Sequence, residues 1–178
     1  MMRKKAPKRK SKKPATPGRR VGTKRSDMRW EDPNGAVWAS RFEYEVWLGI
    51  VGTWGAERCV SGRDTLTYTS PVRQARCLGC GGGAVVTDRT YTPDFLVRDS
   101  RRRQPNGPCY YIEAKGYLRA EKRRLLRDLR KARPDIDLRF LVERDYKATS
   151  SMTILQWIER YMKCPAEVWA GRMPKDWI

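Results

Sequence analysis

Apolar and polar positions alternate most clearly over residues 110–115. In Tyr110-Tyr111-Ile112-Glu113-Ala114-Lys115, Glu113 and Lys115 fall on one face of a strand, Ile112 and Ala114 on the other. A second strand is expected upstream at Tyr91-Thr92-Pro93-Asp94-Phe95-Leu96-Val97, rich in β-branched and aromatic residues, with Pro93 holding Thr92 extended. The compact apolar run Leu138-Arg139-Phe140-Leu141-Val142 predicts a strand central in the sheet, and Leu66-Thr67-Tyr68-Thr69 predicts another that Pro71 stops. Helical spacing covers three stretches. Over 35–50, Val37, Trp38, Phe42 and Val46 approximate an apolar stripe, Ser40-Arg41-Phe42-Glu43 fits a capping box, and Gly49, Gly52 and Gly55 end the helix. Over 119–133, Leu125, Leu126, Leu129 and Ala132 share a face and Pro134 ends the pattern. A last helix, capped by Thr149 or Ser150, turns Ile154, Leu155, Ile158 and Met162 to the core. The aromatic-rich end (Val168, Trp169, Met173, Trp177) reads as packing back on the domain, with base stacking on Trp169 or Trp177 as the alternative. This order predicts an α/β domain, a mixed sheet flanked by helices.

Charge changes the picture. The 178 residues carry a net +19, and the cheapest partner for that much positive charge is a polyanion such as nucleic acid. Residues 1–29 hold thirteen Lys or Arg against one acid, Asp27, with Pro7, Pro14 and Pro17 and no apolar periodicity. They read as a disordered basic arm that binds nucleic-acid backbone, or as a solubilising or targeting tail, ahead of a folded domain at 30–178. The helix at 119–133 is nearly uniform in sign: Lys122, Arg123, Arg127 and Arg130 are candidate nucleic-acid contacts, as are Arg101, Arg102 and Arg103 in the turn at 98–108, unless these side chains are merely solvated. No apolar run approaches 18 residues, so no membrane span and no membrane partner are expected.

Two residue types bound the chemistry further. There is no histidine, which excludes Ser-His and Cys-His nucleophile pairs and histidine-dependent nucleases. Five cysteines without a secretory signal point to a reducing compartment, the cytoplasm. Cys77-Leu78-Gly79-Cys80-Gly81, inside a glycine-rich insertion at about 70–90, is half of a zinc site or a pair of reduced thiols. What remains for phosphodiester chemistry is carboxylate-held metal. Asp94 and Glu113 can hold a divalent ion, Mg2+ or Mn2+, with the Ala114 carbonyl as a further donor and Lys115 to orient or deprotonate water. The competing reading makes Glu113 and Lys115 ordinary exposed strand residues.

Pro93-Asp94 followed by Glu113-Ala114-Lys115 resembles the motif of the PD-(D/E)xK nuclease superfamily. The resemblance extends further. Ser40-Arg41-Phe42-Glu43, Tyr91-Thr92-Pro93-Asp94-Phe95-Leu96, Ile112-Glu113-Ala114-Lys115-Gly116 and Pro134-Asp135-Ile136-Asp137-Leu138-Arg139-Phe140, with the last helix and Pro174-Lys175-Asp176-Trp177-Ile178, resemble in order the bacteriophage endonuclease I family of Holliday-junction resolvases, over about 36–178. That resemblance implies a restriction-endonuclease-like fold in a segment-swapped homodimer that cuts branched DNA with magnesium or manganese. It also implies a catalytic role for Glu43 beside Asp94, Glu113 and Lys115, and a phage-infected bacterium as the setting. Two departures stand out. Where the family has a second glutamate, this chain has Thr67, with Glu57 as a possible substitute. The region joining the halves of the dimer in the family is longer here and carries the CxxC. Two such turns meeting across the dimer axis would share one zinc, and folded protein free of zinc would count against this. The same fold with a mismatch or restriction-type target is one alternative. A non-catalytic binder used in packaging is another, although a pure binder has no reason to keep Asp94, Glu113 and Lys115 together.

Overall fold

The computed structural model describes residues 19–21, 29–62, 64–76, 79, 84–98 and 109–178. The candidate zinc ligands Cys77 and Cys80, the candidate DNA contacts Arg101, Arg102 and Arg103, and most of the basic arm lie outside the described residues. The chain divides into two compact units, Met1–Ala39 and Ser40–Ile178. The first contains strands β1 (Arg19–Val21), β2 (Arg29–Glu31) and β3 (Val37–Trp38), paired antiparallel in that order. Thus four residues assigned to the basic arm, Arg19, Arg20, Val21 and Arg29, are extended and paired. Asp32 closes the turn between β2 and β3: its carboxylate accepts from Asn34 N (2.8 Å), Ala36 N (3.0 Å) and Trp38 Nε1 (3.2 Å). Val37 and Trp38, expected in a helix, belong to this turn-and-strand unit.

The second unit is mixed α/β. Helix α1 (Arg41–Trp54) starts where Ser40 Oγ accepts from Glu43 N at 3.1 Å. It runs through Gly49 and Gly52 to Gly55, whose φ of 85° is the left-handed conformation that ends it. A single 3-10 turn (Ala56–Arg58) leads to β4 (Cys59–Ser61). Strands β5 (Leu66–Arg76) and β6 (Ala84–Tyr91) form an antiparallel hairpin of their own. β5 continues through Pro71, which lies opposite Val86 in a hairpin that has only two strands among the described residues, and the register shifts between Pro71 and Arg76.

The remaining elements are β7 (Phe95–Arg98), β8 (Cys109–Lys115), α2 (Ala120–Ala132), β9 (Leu138–Val142), α3 (Ile154–Met162) and β10 (Ala166–Val168). Among the described residues they build, with β4, a five-stranded sheet of order β10-β9-β8-β7-β4. β8, β9 and β10 run parallel, joined by α2 and α3, while β7 and β4 are antiparallel additions. The central strand is β8, and β9 is its interior neighbour, one place from where its apolar run suggested. Both are buried on both faces, which is why β9 reads as a continuous apolar run.

Register separates the faces. Phe95 opposes Ile112 and Val97 opposes Tyr110; Trp47 and Trp54 of α1 pack on Phe95 and Tyr110. The opposite face carries Tyr111, Glu113 and Lys115 beside Leu138, Phe140 and Val142, and contributes to the main core with Leu118, Leu126 and Leu129 from the α2 side and Ile154, Trp157, Ile158 and Met162 of α3. Tyr68 and Tyr91 of the hairpin join that core. The cap of α3 is Thr153, not Thr149 or Ser150. Thr153 Oγ1 accepts from Gln156 N and Gln156 Oε1 accepts from Thr153 N, a complete capping box, while Thr149 is spent in the preceding loop. The expected inward packing of the chain's end holds in part: Met173 and Trp177 are buried, and Tyr110 Oη donates to Trp177 O at 3.1 Å, whereas Trp169 is half-buried and Val168 is exposed.

Candidate active site

The stretch 91–97 is not one strand but a junction between two sheets. β6 ends at Tyr91 and β7 begins at Phe95. Pro93 brings no N–H to a ladder, and the bend it enforces turns Asp94 toward β8. Asp94 then replaces ladder bonds with its own. Its backbone oxygen accepts from Gly62 N at 2.8 Å, and its Oδ2 accepts from Ala114 N at 2.8 Å. The neighbouring register, Phe95 opposite Ile112, sets Asp94 beside Glu113.

Lys115 closes the group. Its Nζ lies 2.9 and 2.8 Å from Asp94 Oδ1 and Oδ2 and 3.0 Å from Glu113 Oε1. Side-chain exposure falls from 28 % at Lys115 through 13 % at Asp94 to 4 % at Glu113, so the site opens to solvent from the lysine side. Tyr91 stands over the buried end. Its hydroxyl is near enough to the Glu113 carboxyl for a side-chain hydrogen bond to contribute to the pKa of each, although neither it nor Glu113 Oε2, both buried, meets hydrogen-bond geometry among the described residues. Burial pushes the Glu113 carboxyl up to about 7; the Asp94 charge adds to the shift and Lys115 opposes it. For Lys115, burial acts to lower the pKa, but the Glu113 and Asp94 charges outweigh it and raise the ammonium above its ordinary value. Tyr91 is likewise raised, first by burial and then by Glu113.

Two carboxylates against one ammonium, with a buried carboxylate oxygen left over, are a poor arrangement for stability alone. Buried ion pairs return little beyond their desolvation cost, and an unpaired buried acceptor costs about 1–3 kcal/mol. They are a suitable arrangement for a hard divalent cation, which takes oxygen donors. Asp94 and Glu113 fit that donor set, and Glu113 Oε2, with only the Tyr91 hydroxyl near it, has a lone pair to offer. Among the described residues no three His, Cys, Asp or Glu side chains gather at one point.

Other expected residues are elsewhere. Glu43 is half-buried in the first turn of α1, a helix that packs on the opposite face of the sheet through Trp47 and Trp54. Thr67 is exposed on β5 opposite Thr90, and Glu57 is exposed in the 3-10 turn with Arg58 Nε 3.7 Å away. Tyr91 stands at the head of the Tyr91–Leu96 motif with no chemical role of its own there. Its sequence offers no signal for one, because the bend at Pro93 breaks the period-2 rule that would orient its side chain.

The basic helix is partly committed to the fold. Lys122 is exposed. Arg123 donates to Leu118 O at 2.8 Å and lies 5.9 Å over the Trp157 ring, and Arg127 lies 5.4 Å over Tyr161. Arg130 donates to Pro134 O at 3.2 Å and Ile136 O at 2.9 Å, tying the turn into β9. Arg127, Lys131, Tyr161 and Asp128 line a cavity of about 420 Å³ that shares no residue with the Asp94 group. No helix among the described residues is long and apolar enough to cross a membrane. No family model, curated protein or solved structure matches the chain.

Proposed function

We propose that this protein is a structure-selective, divalent-metal-dependent DNA endonuclease that hydrolyses phosphodiesters in four-way and other branched junctions. The observation that carries the reading is the meeting of Asp94, Glu113 and Lys115 at the bend between two sheets, with one Glu113 oxygen buried and unpaired. Asp94 and Glu113 would hold Mg2+ or Mn2+, with the Ala114 carbonyl as a further donor. When bound, such an ion acidifies water and neutralises charge on the reacting phosphate. Lys115, on the solvent side, orients the attacking water or balances charge developing on the phosphate. Raised pKa values beside a specific charge partner, in a recess open on one side, are a pattern of functional sites.

The remaining parts of the reading rest on the resemblance to bacteriophage endonuclease I. They are a restriction-endonuclease-like fold, a segment-swapped homodimer and cytoplasmic action in an infected bacterium. In such a dimer Glu43 of one chain completes the site of the other, which accommodates its place on the far face of the sheet. The net +19, with Lys122 and the cavity edge at Arg127 and Lys131, supports a polyanionic substrate. Arg123 and Arg130 contribute less freely, since their guanidinium groups already serve the fold.

Incubation with a four-way junction and a linear duplex of equal length, with Mg2+ and with chelator, tests the assignment. Cleavage of the junction alone, and only with the metal, is expected. Equal cutting of the duplex would contradict junction selectivity. No cutting of either, with binding to both, would leave a non-catalytic binder.

A further inference from the structure

Lys115 holds the position that a cation shared by the two carboxylates would have to take. Its ammonium makes contacts of 2.8–3.0 Å with both oxygens of Asp94 and with Glu113 Oε1. A divalent ion bound by the same oxygens needs them at about 2.0–2.1 Å if it is magnesium. It would then stand against the ammonium in a low-dielectric recess, where like charges repel strongly. The two cations therefore compete for these oxygens.

We propose that Lys115 is the resident counter-ion of the metal-free site, and that a divalent cation enters only by displacing its ammonium from Asp94 and Glu113. The inference rests on reading the cluster as a metal site. It gives the metal-free chain a compensated core: the carboxylates that a metal later uses never face burial without a positive partner. It also gives the ammonium a direction to leave. Of the three side chains Lys115 is the most exposed, so its path out is the open side of the site. The cost of displacement weakens apparent metal affinity, and the released amine becomes available to water and phosphate only once a metal is seated.

Calorimetric titration of Mn2+ into wild type, Lys115→Met and Lys115→Arg, with thermal unfolding of each in chelator and in Mn2+, tests this by readouts other than cleavage, and junction cleavage by wild type alone is run beside it. Lys115→Met is expected to bind Mn2+ tighter than wild type, on the order of 10–100-fold, the usual scale of near-neighbour effects on metal affinity. It is also expected to melt lower in chelator and to recover in Mn2+. Lys115→Arg keeps the charge and is expected to bind no tighter than wild type. Equal or weaker Mn2+ binding by Lys115→Met, or a Met variant that stays unfolded in Mn2+, would overturn the inference. If wild type cuts junctions with Mn2+ while Lys115→Met binds no tighter, the displacement idea fails and the nuclease reading stands. If wild type neither binds Mn2+ nor cuts, both fail.

Discussion

Glu113 is the residue on which most of the electrostatics turn. Its side chain is 4 % exposed, and burial raises its pKa from the ordinary 4.5 to about 7. Between those values the folded chain binds a proton that the unfolded chain has released, so this group's contribution to stability falls as pH rises from about 4.5 to about 7. Urea unfolding of metal-free wild type and Glu113→Gln across that range should show it. The wild type loses stability relative to the variant by on the order of 3 kcal/mol as pH rises. A difference that stays constant, or grows with pH, would contradict the burial account. The alternation over 110–115 was enough to place Glu113 and Lys115 on one face, and Pro93-Asp94 was enough to bring a second carboxylate near. Tyr91 was not legible as a site residue, because only the turn at Pro93 decides where its hydroxyl points. Nor did the basic helix reveal that Arg123 and Arg130 donate to backbone carbonyls: a charge pattern gives sign and face, not the partner across a loop.

At the scale of elements, local chemistry was readable wherever it was self-contained. Ser40 before α1 and the Pro134 stop after α2 act within one turn, and both are found as expected. Signals that depend on tertiary surroundings were misread. Glycines at 49 and 52 suggested an early end to α1, yet the helix passes through both because its apolar face packs on the sheet. The two glycines then differ. A Cβ at Gly49 would run into the Trp169 ring, whereas one at Gly52 would meet nothing within 4 Å. Gly49→Ala should therefore destabilise by about 1–3 kcal/mol through overpacking, while Gly52→Ala should stabilise by about 1 kcal/mol through helix propensity. Chemical denaturation of both variants checks the pair; equal effects would mean that Trp169 yields freely. Pro71 likewise does not stop its strand: β5 runs on to Arg76, with the register shift falling between the two.

Across the whole molecule, the mixed sheet and its helices follow from the order of apolar segments, but the division at Ala39 and the separate β5–β6 hairpin do not. Both depend on pairings that no single stretch announces: β1–β3 close on themselves, and the hairpin packs on α2 through its own apolar face rather than extending the main sheet. The hairpin nevertheless organises the site, since the chain must leave it at Tyr91 and re-enter the sheet at Phe95, and Asp94 sits at that turn. A chain of net +19 thus keeps two carboxylates and one ammonium together in its interior. The central claim is that this group cleaves phosphodiesters. Its most direct test is the single-turnover rate of junction cleavage in Mg2+ by wild type and by Glu113→Gln, with circular dichroism confirming that the variant is folded. A loss of at least about 100-fold, the scale of removing one transition-state charge stabiliser, is predicted for the folded variant; cleavage by folded Glu113→Gln at the wild-type rate would contradict the claim.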